Sequence, residues 1–211
     1  MKIWNRVFLM DPTRQSEASA ALVAIHEEVN SVSDYGYNLW ETVVGTQGEF
    51  GASALVSDVE RFTSGELMHP DADGEKLGAL AAAVNACVDG RPEDSFWTVA
   101  HSVGDWSTVP NVVANVVNTL HIEQMADSVG ALVEFVDYMH GLSGTPVTVC
   151  TSFWGTGPSV RLIWGYESLG DFDERTSRGM ADPGFHERNA AMATTVGPPV
   201  VTTSNVMRRL V

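Results

Sequence analysis

Short apolar stretches of strand length alternate along the chain with longer segments whose apolar residues recur at helical spacing. Ala18, Leu22, Ile25, Val29 and Val32 fall at i, i+4, i+7, i+11 and i+14, and this stripe predicts a helix from about Ser16 to Ser31. Ser128, Leu132, Phe135, Met139 and Leu142 draw the same stripe later in the chain, widened by Met125, Val129 and Val136. In the first half, strands are predicted at Ile3 to Met10, Tyr37 to Val44, Ala52 to Val59 and Ser95 to Val103. Turn residues such as Asp11-Pro12 and Gly45-Thr46-Gln47-Gly48 punctuate them. In the second half the strands are the run from Val112 to Val117, Val147 to Trp154, Val160 to Tyr166 and Val200 to Arg208. A further helix runs from Gly74 to Val88. Its later counterpart, Ser168 to about Thr195, reads as two helical pieces broken at Asp182-Pro183-Gly184, and Gly104 to Pro110 reads as a linker.

The two halves carry one pattern written twice. Shifted by 110 positions (132 − 22), Asn5 to Phe62 lies without a gap on Asn115 to Phe172. Asn5, Val7, Ala21-Leu22-Val23, Ser33, Gly45-Thr46 and Phe62 meet identical residues. A repeat this long is a domain and not a solenoid unit. Each half reads β-α-β-β-α-β, the ferredoxin-like order, so the fold class is α+β, with copies at residues 1–107 and 108–211. Val112, Val113, Ala114, Val116 and Val117, like Leu162-Ile163-Trp164, are apolar on both sides of their strands. Such strands need two covered faces. Helices cover one face, and the other copy's sheet is the economical cover for the second. Two sheets face to face in a pseudo-dimeric α+β barrel are therefore expected.

The run Trp164-Gly165-Tyr166-Glu167-Ser168-Leu169-Gly170-Asp171-Phe172, followed by Met180-Ala181-Asp182-Pro183-Gly184-Phe185-His186, is similar to the NIPSNAP-like branch of the dimeric α+β barrel superfamily. The whole pattern resembles that superfamily, antibiotic-biosynthesis-monooxygenase-like proteins included, with two subunits fused in one chain. In the first copy Val56-Ser57-Asp58-Val59-Glu60-Arg61-Phe62 keeps only the skeleton of the motif, and His69-Pro70-Asp71 replaces Asp182-Pro183-Gly184. The resemblance implies cofactor-free monooxygenases, haem-degrading enzymes, isomerases or proteins without catalysis, and fold alone chooses among none of them.

The net charge of −15 argues against nucleic acid and anionic membrane surfaces as partners. Cys87 and Cys150 form no disulfide framework and no metal-ligand spacing, which suits buried thiols in a reducing, cytoplasmic setting. The N-terminus lacks a signal-peptide pattern, and the longest apolar run, Leu77 to Val88, is too short to span a bilayer.

Within one β-α-β-β-α-β unit, the end of the first strand, the start of the next helix and the start of the third strand share one end of the sheet. That topology gathers His121, Trp154 and Arg161 in the second copy, with Met125 on the facing helix. The imidazole would shuttle a proton and the guanidinium hold an oxyanion. Trp164, Phe185 and His186 would add to a ligand-binding wall. Against this reading, His121 could simply cap a helix, Arg161 could be solvated, and the tryptophans could be core. The second copy is the expected seat of a pocket, because Val44 and Ala54 stand where Trp154 and Trp164 align. None of the six histidines shows metal-ligand spacing, so no metal is expected; haem on His186 is the alternative cofactor. The functional expectation is an enzyme of the monooxygenase or isomerase type on a small hydrophobic, aromatic or polyketide-like molecule. A haem protein and a non-catalytic binding or interaction protein are its alternatives, and a homo-oligomer of pseudo-dimers is compatible with all three.

Overall fold

The computed structural model describes residues 1–64, 68–69, 72–153 and 157–211, and the side chain of Thr195 is left aside. By contacts the chain divides into two compact units, Met1–Trp97 with Met207–Val211, and Thr98–Val206. The boundaries between these units fall inside two long strands.

The first unit contains β1 (Lys2–Leu9), α1 (Gln15–Ser31), β2 (Asn38–Val44), β3 (Glu49–Val56), α2 (Val59–Thr63), α3 (Gly74–Asn85) and the start of β4 (Glu93–Val103). Its strand order is β4-β1-β3-β2, with β3 antiparallel to both neighbours. Trp4, Phe8, Phe50, Ala52, Ala54 and Val56 turn to the helices and are buried with Leu22 of α1 and Val84 of α3. β3 starts before the expected Ala52 and stops before Val59. The stop has a local cause, since the Asp58 carboxylate accepts the Arg61 N–H at 3.0 Å and starts α2. Likewise α3 ends at Asn85, and Val88 turns back to bridge Met10. At the β2–β3 turn Gly48 has φ +80°, and a Cβ there would lie 2.5 Å from the Met10 carbonyl oxygen.

The second unit contains β5 (Val112–Thr119), α4 (Met125–Ser143), β6 (Val147–Ser152), β7 (Ser159–Tyr166), α5 (Leu169–Ala181), α6 (Pro183–Val196) and the start of β8 (Val201–Arg209). Here the order is β8-β5-β7-β6, and the second part of β4 pairs with β6 from Thr98↔Thr151 to Val103↔Val147. The break between α5 and α6 falls at Asp182, as expected, and Pro183 occupies the first turn of α6.

Some elements of the two units recur at an offset of 110 residues. β1 and β5, β3 and β7, and the starts of α1 and α4 differ by that number, and so does the register Lys2↔Val56 against Val112↔Tyr166. Among the described residues no helix is long and apolar enough to cross a membrane.

Candidate active site

A cavity of about 530 Å³ opens in the first unit between the helix-facing side of the sheet and α1, α2 and α3. Its floor is Trp4, Arg6 and Phe8 of β1 with Ala52 of β3. Ile25, His26 and Val29 of α1 form one wall. Tyr37, Phe62 and Phe96 close it with aromatic rings. Phe62 is the hub of that cluster, its centroid 5.3 Å from Trp4 and from Tyr35, 6.0 Å from Tyr37 and 5.9 Å from Phe96. Ala52 leaves the space open because a methyl group stands where a longer chain would fill it.

His26 is the chemically informative residue. It is 8% exposed, and its Nδ1 lies 2.7 Å from the Leu22 carbonyl oxygen. A carbonyl can only accept, so Nδ1 carries the proton and Nε2 keeps its lone pair. Burial, together with the nearby Arg6 charge, holds the pKa of His26 below its ordinary value. The ring is thus a neutral base at neutral pH. Arg6 donates from Nε and Nη2 to both oxygens of Asp94, each at 2.7 Å, and its guanidinium carbon lies 5.4 Å from the Trp4 ring centroid. Burial pushes the Tyr37 phenol above its usual range, so it stays protonated.

The corresponding positions of the helix-facing core in the second unit are apolar. Val136 replaces His26, Val116 replaces Arg6, and Leu162, Phe135 and Met139 stand for Ala52, Ile25 and Val29. Val136 and Leu162 are core residues at 0% and 4% exposure. A smaller cavity of about 390 Å³ in this unit is a groove on the helices, bordered by Ala126, Gly130 and Glu134 of α4 and by Arg188 and Ala191 of α6. The larger of these two cavities is therefore in the first copy, not in the second where the tryptophans suggested it.

The residues expected to form a site in the second copy are spread out. His121 is exposed at the end of β5, and its backbone N–H donates to Gln124 Oε1 at 2.9 Å. Met125, the first residue of α4, is buried in the core. Arg161 is half-buried and donates to Asn115 Oδ1 at 3.1 and 2.8 Å. Its register neighbours are Val117 and Cys150, which puts it on the sheet face away from α4. Trp164 and Phe185 pack against the helix-side core instead, and Phe185 lies 5.9 Å from Phe135. His186 is exposed, and its Nε2 donates to the Met180 carbonyl at 2.9 Å. Trp154 lies outside the described residues. Among those residues no three His, Cys, Asp or Glu side chains group as a metal site.

The chain matches no family model and no curated protein by sequence. Its fold, in contrast, is shared over the full length. An anthrone oxidase-like protein superposes with a TM-score of 0.68 at 11% identity, covering 100% of this chain and 91% of the other. A candidate monooxygenase of Fusobacterium nucleatum gives 0.70 at 11% identity, covering 100% and 93%. A haem-degrading enzyme of Listeria monocytogenes gives 0.52 at 8% identity, covering 99% of both chains. The chain therefore has the α+β fold of these proteins, and at such identities the likeness is one of fold alone.

Proposed function

We propose that the protein is an enzyme acting on a small aromatic molecule in the first-unit cavity, by a monooxygenase- or isomerase-type reaction that begins with proton removal. One observation carries this reading. A buried imidazole with its protonated nitrogen fixed on a backbone carbonyl and its basic nitrogen unprotonated lines an aromatic cavity beside a guanidinium. His26 takes a proton from an acidic C–H or O–H of the bound ring, and Arg6 stabilises the resulting oxyanion. From the anion two outcomes are open. Return of the proton at another carbon isomerises the substrate. Reaction with O₂ turns a ring methylene into a carbonyl, one oxygen atom being retained and the other leaving as water with the two methylene hydrogens. The fold likeness to anthrone oxidase-like and monooxygenase-like proteins supports the second outcome.

This reading places the proton transfer on His26 rather than on His121. It also takes the two copies as descendants of one duplicated ferredoxin-like unit, akin to the NIPSNAP-like branch. The acidic charge and the paucity of cysteine favour a cytoplasmic protein without a nucleic-acid partner.

The test is O₂ uptake with anthrone as probe, compared between the wild type and His26→Gln. A loss of roughly 10²- to 10⁴-fold is expected. Anthrone turnover unchanged by the substitution would remove His26 from the mechanism.

A further inference from the structure

We propose that Asp94 sets the charge of the ligand accepted by the first-unit cavity, admitting neutral aromatic molecules and turning anionic ones away. The inference rests on the reading of that cavity as the ligand site. Among the described residues, the ionisable ones lining it are Arg6, His26, Tyr37 and Asp94. Arg6 and Asp94 cancel in a bidentate pair, with both side chains close to half exposed at the β1–β4 side of the cavity. Burial keeps His26 and Tyr37 uncharged near neutrality. These four groups therefore carry no net charge before a ligand enters.

An anion approaching this cavity meets the Asp94 carboxylate and competes with it for Arg6, in a protein whose net charge is already −15. A neutral ring meets no such cost and gains the faces of Trp4, Phe62 and Phe96. The arrangement also suits the proton transfer once the ligand is bound. Asp94 occupies two of the five guanidinium N–H donors, which leaves three for an oxyanion formed inside the site. When the proton moves from the ligand to Nε2 of His26, the imidazolium balances the new anion. The substrate class is thus a neutral aromatic carbon or oxygen acid that ionises only after it is bound.

Fluorescence titration with a pair of dyes sharing one ring system tests this: neutral N-phenyl-1-naphthylamine and anionic 8-anilino-1-naphthalenesulfonate. The wild type is expected to bind the neutral dye at least about tenfold more tightly than the anion. Asp94→Asn should tighten the anion roughly tenfold, as expected for removing one like charge a few ångströms away, and move the neutral dye less than twofold. Ala52→Leu, or Ile25→Phe as a second filling variant, should abolish binding of both dyes, because each installs the bulkier residue of the second unit. If filling blocks the dyes but Asp94→Asn leaves their ratio unchanged, or if the wild type already binds them equally, the charge inference falls while the cavity reading survives. If the neutral dye does not bind, or binds the folded filling variants as well as the wild type, both fall.

Discussion

His26 shows how one position can be silent in the sequence and decisive in the fold. In the helical stripe it is the residue after Ile25, a polar neighbour of apolar positions, and spacing alone treats it as helix surface. Only the cavity left by Ala52 and the carbonyl of Leu22 convert it into a buried base with a defined tautomer. Tryptophan content is uninformative for the same reason: Trp164 packs against the core, and aromatic content does not distinguish a filled space from an empty one. What could have found His26 is the comparison of the two copies, where a histidine in one stands opposite a valine in the other. The pH behaviour stems from its depressed pKa. Above the ordinary value near 6.5, folded and unfolded states both hold a neutral ring, so His26 contributes no pH dependence. As the pH falls below that value the unfolded state takes up the proton first, and folding stability declines until the folded ring also titrates. Thermal melts from pH 7.5 down to pH 4.5 are expected to show a smaller acid-side decline in His26→Gln than in the wild type. An identical decline in both proteins would mean that the ring is not desolvated as described.

Elements were the most legible level, because strands and helices leave periodic traces whatever their neighbours. The α1 and α4 stripes, the β2–β3 hairpin and the break at Asp182 all stand near where periodicity places them; the ends moved where a side chain caps a helix. The α5 start is such a cap. Ser168 Oγ accepts the Asp171 N–H at 3.1 Å, and Asp171 Oδ2 accepts the Glu167 N–H at 3.1 Å in return. Ser168→Ala is expected to lower the unfolding free energy by about 1 kcal/mol in urea titration. The α5–α6 break depends on a closer fit. The Asp182 carboxylate accepts from the Tyr138 hydroxyl and from the Phe185 N–H at 3.2 Å, which joins α4 to the first turn of α6. A Cβ on Gly184 would sit 2.2 Å from that hydroxyl. Gly184→Ala should therefore break the Tyr138–Asp182 contact and speed amide exchange at the start of α6, whereas Tyr138→Phe should loosen the same turn without a clash. Protection in α6 equal to wild type in both variants would show that the contact does not hold the turn.

At the scale of the whole molecule, likeness of plan and difference of side chains pull in opposite directions. The shared backbone plan is visible in the ungapped offset, because a core tolerates exchange of one apolar residue for another of similar size. The functional asymmetry is much harder to read, since it lies in a few exchanges on one face: Ala52 against Leu162, Ile25 against Phe135, Val29 against Met139, His26 against Val136, and Arg6 against Val116. The first three add volume and the last two remove the ionisable groups. Together they turn an aromatic cavity of about 530 Å³ in one unit into packed core in the other. A symmetric two-site protein would have kept both sets, so the number of ligands bound per chain separates the two cases. Titration calorimetry with N-phenyl-1-naphthylamine is expected to give one site per 211-residue chain. Opening the second unit by Leu162→Ala together with Phe135→Ile should not create a second site of similar affinity, because Ala114 and Val147 stand where Trp4 and Tyr37 supply ring faces in the first. The double variant should instead lose stability, since each truncation leaves unfilled volume in a buried cluster, at a combined cost on the order of several kcal/mol. A stoichiometry of two in the wild type would mean that the second unit binds by means other than the His26 and Arg6 set, and the one-site reading would fail.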